Sequence, residues 1–184
     1  LGTAVASMYI RHPVTIGMAA ATIDALSGGR FTLGLGVGVP SWIKGKLSIR
    51  FERPLASLKE NVEIIRRLIA GEETEYRGKI YSIMDMRLRF KPLRPQIPIY
   101  IAAVGPKMLA QAAELGNGVI FAAGCSVDYV KRAVKDIERH LEAASRVKSD
   151  FQIAALVVTS VTRRMDESVE GAVSYTHLTL PTNR

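Results

Sequence analysis

A chain of 184 residues that is 48% hydrophobic and 23% charged is globular in composition and long enough for one domain with a sizeable core. No run approaches the roughly 18 apolar residues of a membrane span, the opening LGTAVASMYI lacks the basic lead-in of a secretory signal, and the single Cys125 excludes an internal disulfide framework and a cysteine metal site, so a cytoplasmic location fits. The net charge of +8 is spread over dispersed Lys and Arg with no aromatic-basic stacking motif, which favours an anionic small molecule over nucleic acid or a membrane as partner.

Leu1–Ser7 reads as a strand and Met8–His12 as a loop. Pro13 opens a small-residue helix through about Leu26, stopped by Ser27-Gly28-Gly29. Arg30–Gly38 is a strand whose alternate glycines invite close approach of a ligand or of another backbone. Pro40–Arg53 is irregular and holds the only tryptophan, Trp42, which either walls a pocket or packs. Pro54 begins an amphipathic helix with Leu55, Leu58, Val62, Ile65, Leu68 and Ile69 on one face, ended by Gly71. Period-two character around Arg77-Gly78 predicts a small hairpin within Glu75–Arg89.

Ile97–Ala103 is an apolar run that suits a strand buried on both faces. Gly105-Pro106 breaks it, Lys107–Leu115 is helical, Gly116 is the natural stop, and Gly118–Phe121 starts the next strand. Ser126 is a good N-cap for a helix through about Ser145, with Val130, Val134, Ile137, Leu141 and Ala144 facing the core. Phe151–Val161 is a further strand and Asp166–Ala172 begins a helix. Ser174–Arg184 abandons that helical pattern and resembles translated adapter sequence, so the expected division is a domain over 1–173 and a non-native tail over 174–184, with His177 dismissed alongside it.

Strands alternating with helices mean an α/β fold with parallel strands. Five strands without reversal fit part of a (β/α)8 TIM barrel or a doubly wound sheet; short strands and rich loops after them favour the barrel, with the hairpin as an insertion. The turn Gly105–Met108 has two readings. It is an anion site, where free N–H groups at a helix start sum with Lys107, or it is an ordinary strand-to-helix turn.

In one order over Leu1–Ala172, LGTAV, RHPVT, LSGGRFTLGLGVG, RPLASLKENVEIIRRLIAGEE, EYRGKIYS, IPIYIAAVGPKMLAQAAELGNGVI and SVDYVKRAV resemble the luciferase-like family, closest to its methylenetetrahydromethanopterin reductase-like branch. The resemblance implies a (β/α)8 barrel of which the chain holds about strands three to seven, with a flavin or the deazaflavin coenzyme F-420 at the carboxyl ends of the strands. It implies cofactor contacts at Ala4, Val5, Ala6 and Ser7, where the family has a non-proline cis peptide, at Gly36, Val37 and Gly38, and at Ala103, Val104 and Gly118. It makes Gly105, Pro106, Lys107 and Met108 the phosphate turn. Ser7-Met8 and Asn117 depart from the family pattern of Asn-Pro and of Asp before Gly.

Read as a dinucleotide fingerprint, Gly34–Gly38 fails, because its third glycine falls at Val39 and Pro40-Ser41-Trp42 does not open a helix. His12 is a weak catalytic candidate as proton donor, against a residue that bonds backbone at a helix start. Cys125 reads as an apolar wall residue, and no metal ligands are expected. The implied function is hydride transfer between reduced F-420 and a small organic acceptor substrate. The alternatives are an FMN-dependent monooxygenase and a flavin-binding protein without catalysis. The 184 residues alone are expected to be inactive, and the full-length parent to form a homodimer through barrel helices.

Overall fold

The structure, a computed structural model, describes residues 1–159. In chain order it comprises β1 (Ala6–Ser7), α1 (Pro13–Leu26), β2 (Leu33–Gly36), α2 (Pro54–Ile69), β3 (Thr74–Arg77), β4 (Ser82–Met86), β5 (Ile99–Ala102), α3 (Pro106–Leu115), β6 (Gly118–Phe121), α4 (Val127–Ala143) and β7 (Gln152–Ala155). The end of the last expected strand at Ser160-Val161, the helix from Asp166, and the tail Ser174–Arg184 with His177 lie outside the described residues.

Five strands pair in parallel as β1-β2-β5-β6-β7, each beside its predecessor in the chain, while β3 and β4 form a separate antiparallel hairpin. A doubly wound sheet requires a reversal of strand order, and none occurs among the described strands. The alternating side chains Leu33, Leu35, Ile99, Ile101, Val119 and Phe121 point to the helices and are almost fully buried there. Leu58, Val62 and Ile65 of α2 meet them, each burial contributing about 1.5–3 kcal/mol.

The opposite face of the sheet carries Gly34, Gly36, Tyr100, Ala102, Gly118 and Ile120. β5 is therefore not buried on both faces as expected: Tyr100 and Ala102 are only half-buried. The first strand is also shorter than expected. Gly2 bridges Thr32, but pairing resumes only at Ala6 with Leu35, so this edge carries one residue more than its partner between the two contacts. The extra residue accompanies a cis peptide between Ala4 and Val5, where the resemblance placed one.

Helix ends largely follow the sequence. Gly28 and Gly29 close α1 with φ of 63° and 77°, and Gly71 follows α2 with φ of 80°. Gly116 stops α3 differently: it is extended, and a side chain there would meet the Ala112 carbonyl at 2.8 Å. Ser126 caps α4 by accepting from the Tyr129 amide at 3.2 Å. Its core face is narrower than expected, with Ala133, Ile137 and Leu141 buried but Ala144 exposed. Leu55 of α2 is half-buried, whereas Ile64 and the polar Ser57, Glu60 and Asn61 are buried.

At the amino ends of the strands an ion pair between buried Asp24 and half-buried Arg94 locks the approach to β5. Arg94 donates from Nη2 to Asp24 Oδ1 at 2.7 Å and to the Phe31 carbonyl at 2.7 Å. Arg66 and Arg146 donate to carbonyls at the end of α3, and burial, then the neighbouring Arg146, pushes the Arg66 guanidinium below its ordinary pKa.

Candidate functional site

Parallel strands with helical returns present their connecting loops at the carboxyl ends, where ligands bind in such folds. Here the segments after β1, β2 and β5 converge. A side chain on Gly36 would run into Val5 Cγ2 at 2.9 Å and Ala102 Cβ at 3.1 Å, so Val5, Gly36 and Ala102 form one layer across three strands. Gly38, with φ of 76°, lies against Ser7 Oγ, which would be 3.1 Å from a β-carbon there. The Ser7 hydroxyl donates weakly to the Val37 carbonyl at 3.5 Å. A cleft of about 470 Å³ lined by residues 3–7 with Ile10 and Arg11 opens beside this layer.

Of the expected cofactor residues, the structure thus brings together Ala4, Val5, Ala6, Ser7, Gly36, Val37 and Gly38, with Ala103 and Val104 at the end of the next strand. Gly118 is not among them. It opens β6 at the opposite end of the sheet, where a β-carbon would lie 2.6 Å from the Gln152 carbonyl and 2.9 Å from Tyr100 Cδ1. Its smallness serves strand packing. Asn117 beside it is structural as well, accepting from the Ile99 amide at 3.1 Å through Oδ1.

The turn before α3 is exposed at Gly105, Pro106 and Lys107, with Met108 partly buried. Gly105 has φ of −83° and ψ of 154°, and no atom stands within 4 Å of a β-carbon built on it. The fold itself does not demand glycine here. The amides of Met108 and Leu109 already donate to the Gly105 carbonyl at 3.0 and 2.9 Å, and Pro106 has no N–H. The Gly105 and Lys107 amides have no partner among the described residues, so the donor set is two amides and one ammonium, fewer than the sequence suggested. Tyr129 Oη donates to the Val104 carbonyl at 2.5 Å and ties the turn to α4. Burial first, then Cys125, raises this phenol above its ordinary pKa.

His12 occupies the N-cap of α1, where Nδ1 accepts from the Val14 amide at 3.3 Å and the ring meets Tyr81 edge-on at 5.3 Å. The backbone-bonding alternative describes it. Residues 40–53 are not wholly irregular: a helical turn runs from Pro40, π-helical over Trp42–Lys46. This departs from the expectation that no helix opens there, but Val39 still stands where the dinucleotide fingerprint needs glycine. Trp42 is half exposed and does not pack into the core. Cys125 is a half-buried thiol packed against the core edge.

Three contributors were missed from sequence. Thr3 brackets Gly34, donating to its carbonyl at 2.8 Å and accepting from its amide at 3.0 Å. Tyr9 lies against Phe51 with ring centroids 4.5 Å apart. Tyr129 is the third. Each acts over a separation of 25 residues or more, and no local pattern signals such contacts.

The arrangement defines an α/β protein with a parallel sheet and a ligand-sized face at its carboxyl ends, bare of large side chains and offering amides plus a lysine on one flank. The chain belongs to the luciferase-like monooxygenase family, whose profile matches residues 1–182. It is 38% identical over 172 residues to 5,10-methylenetetrahydromethanopterin reductase of Archaeoglobus fulgidus, covering 94% of this chain and 51% of that protein. The coenzyme F-420-dependent tetrahydromethanopterin reductase of Methanopyrus kandleri superposes with a TM-score of 0.85 at 27% identity, over 98% of this chain and 57% of that one. A monooxygenase of Streptomyces bottropensis shares the fold at a TM-score of 0.79 and 22% identity, over 96% and 55% of the two chains. The chain spans about half the length of the curated relatives it matches. Among the described residues no helix is long and apolar enough to cross a membrane, and no cluster of His, Cys, Asp and Glu could hold a metal.

Proposed function

We propose that the protein transfers a hydride between reduced coenzyme F-420 and a small organic acceptor, a reading supported by relatives named methylenetetrahydromethanopterin reductase and by a similar reductase named as coenzyme F-420-dependent, and that this chain supplies about strands three to seven of a (β/α)8 barrel. The observation that carries the reading is the pairing of a flat, side-chain-poor layer (Val5, Gly36, Ala102) with two unpartnered amides and Lys107 at the next turn. A planar ring fits the first, and a phosphate fits the second. Strand order without reversal supports the barrel.

In this reading residues 4–7, 36–38, 103 and 104 bear on the ring, and Gly105, Lys107 and the start of α3 hold the phosphate. The bound coenzyme supplies a two-electron hydride couple that no side chain offers. The protein's part is to fix the ring and exclude water. Val5 and Ala102 close one side with apolar surface, and Ser7 offers a single hydroxyl. His12 can exchange a proton only at Nε2, because Nδ1 is committed to the Val14 amide.

Incubation of the full-length parent with reduced F-420 and candidate acceptors in air-equilibrated buffer tests this. Recovery of the oxidised deazaflavin absorbance without oxygen uptake is expected. An oxygenated product formed with reduced FMN in air would establish the monooxygenase reading instead, and binding without turnover would leave a flavin-binding protein.

A further inference from the structure

A cavity of about 530 Å³ opens at the amino ends of the strands, away from the glycine layer. Its walls come from successive pieces of the chain: the last turn of α2 with Glu72 beyond it, the segment that leads into β5, and Asn117, which precedes β6. Buried Ile69 and Ile97 give it an apolar lining. The volume suits a small molecule.

Opposite charges stand on this one cavity and do not meet. Arg66 and Glu72 both line it, yet neither has an ion-pair partner among the described residues, each other included. Arg67, the other charge on the wall, is held elsewhere: Nη1 donates to the Glu75 carbonyl at 3.1 Å, and the guanidinium rests 5.5 Å from the Tyr76 ring centre.

Arg66 Nη2 donates to the Leu115 carbonyl at 2.5 Å, which fixes its head two residues from Asn117. That bond uses one N–H of a fork that carries several, and a carbonyl does not neutralise the charge. Burial, then the neighbouring Arg146, already presses against the Arg66 cation, and an anion relieves such pressure. Asn117 is oriented by β5, its Oδ1 accepting from the Ile99 amide at 3.1 Å. Its NH2 has no acceptor among the described residues. A guanidinium fork beside a fixed amide donor matches a carboxylate. A simple anion would face the Glu72 carboxylate as well, whereas a ligand bearing both charges finds a partner for each.

We propose that this cavity binds a small zwitterion, an α-amino acid with an apolar side chain: Arg66 and Asn117 Nδ2 donate to its carboxylate, Glu72 accepts from its ammonium, and Ile69 and Ile97 meet the side chain. The site takes no part in hydride transfer and needs no cofactor.

Isothermal titration calorimetry of the full-length parent compares L-leucine with isocaproate, which lacks the ammonium, and with isoamylamine, which lacks the carboxylate. Saturable binding of leucine, with each analogue about tenfold weaker, is expected. Glu72→Gln should weaken leucine about tenfold and leave isocaproate unchanged or tighter. Glu72 is exposed, so this variant does not endanger the fold. Arg66→Gln should weaken leucine and isocaproate about tenfold and leave isoamylamine unchanged, which a collapsed cavity could not do.

Absence of saturable leucine binding, isocaproate binding as tightly as leucine, or leucine binding indifferent to Glu72→Gln would overturn the inference.

Discussion

Gly105 illustrates how a residue's conformation decides what a substitution reports. Had its φ been positive, valine there would have strained the backbone and any loss of binding would have been ambiguous. At φ of −83° with open space around it, valine fits the fold. Gly105→Val should leave thermal stability unchanged and act only by crowding whatever approaches the Gly105 and Lys107 amides. Lys107→Ala removes one exposed, screened charge, worth about 1 kcal/mol or roughly fivefold in affinity. Pro106→Ala forfeits only pre-organisation. The expected order of damage to F-420 affinity is Gly105→Val, then Lys107→Ala, then Pro106→Ala. Fluorescence titration with F-420 and with its phosphate-free riboside checks the location: the losses should appear for the first ligand and vanish for the second. Equal losses for both would remove the phosphate from this turn.

Elements are joined here by polar contacts more than the hydrophobic pattern suggests. The hairpin β3-β4 closes around a carboxylate of α2. Glu60 is 6% exposed and accepts from the amides of Lys79 at 2.7 Å, Ile80 at 3.0 Å and Tyr81 at 2.9 Å. Tyr76 donates to Glu63 at 2.6 Å, and burial first, then this bond, pushes its phenol far above the ordinary value. Gly78 is what lets the loop close, since a β-carbon there would sit 2.2 Å from Glu60 Oε2. Gly78→Ala should therefore cost about 2 kcal/mol, and Glu60→Gln about 1–2 kcal/mol, because an amide nitrogen then faces backbone donors. Urea denaturation measures both, and an unchanged midpoint in Gly78→Ala would show that the hairpin does not rest on Glu60.

The same hairpin shows what could be read in advance. Alternation and Arg77-Gly78 announced its existence, and the core stripe of α2 announced that helix. Glu60 was invisible because a glutamate on the flank of an amphipathic helix reads as solvated, and its partners lie 19–21 residues on. β1 was overestimated for a related reason. Its apolar letters suit a strand, but Gly34 is occupied by the Thr3 backbone across the ladder, an exchange only the fold reveals. The turn at 105–108 was located correctly. Its donor count was not, because the Met108 amide is drawn back to its own turn.

At the scale of the whole molecule the arc of strands has two outer edges, at β1 and β7, and neither is paired on its far side among the described strands. The β7 edge is the more exposed. Val119 is fully buried under the helices, yet its register partner Ile153, on the same face, is 46% exposed, and Val157 just beyond is 77% exposed. A parallel strand whose outward N–H and C=O groups have no strand partner among the described residues, with apolar side chains on its surface, is a template for another chain. The inner face adds half-buried Tyr100 and Ala102 beside the glycines. At tens of micromolar and physiological salt, the 184-residue chain should therefore associate beyond a monomer, despite a net charge that opposes it. Ile153→Lys places a charge at the edge without entering the core, and should shift the population toward monomer while leaving the melting midpoint within a degree or two, as surface substitutions generally do. Sedimentation velocity on both proteins decides the matter. A monodisperse wild-type monomer would mean that the edge is already covered, and association unchanged by Ile153→Lys would move the contact to another surface.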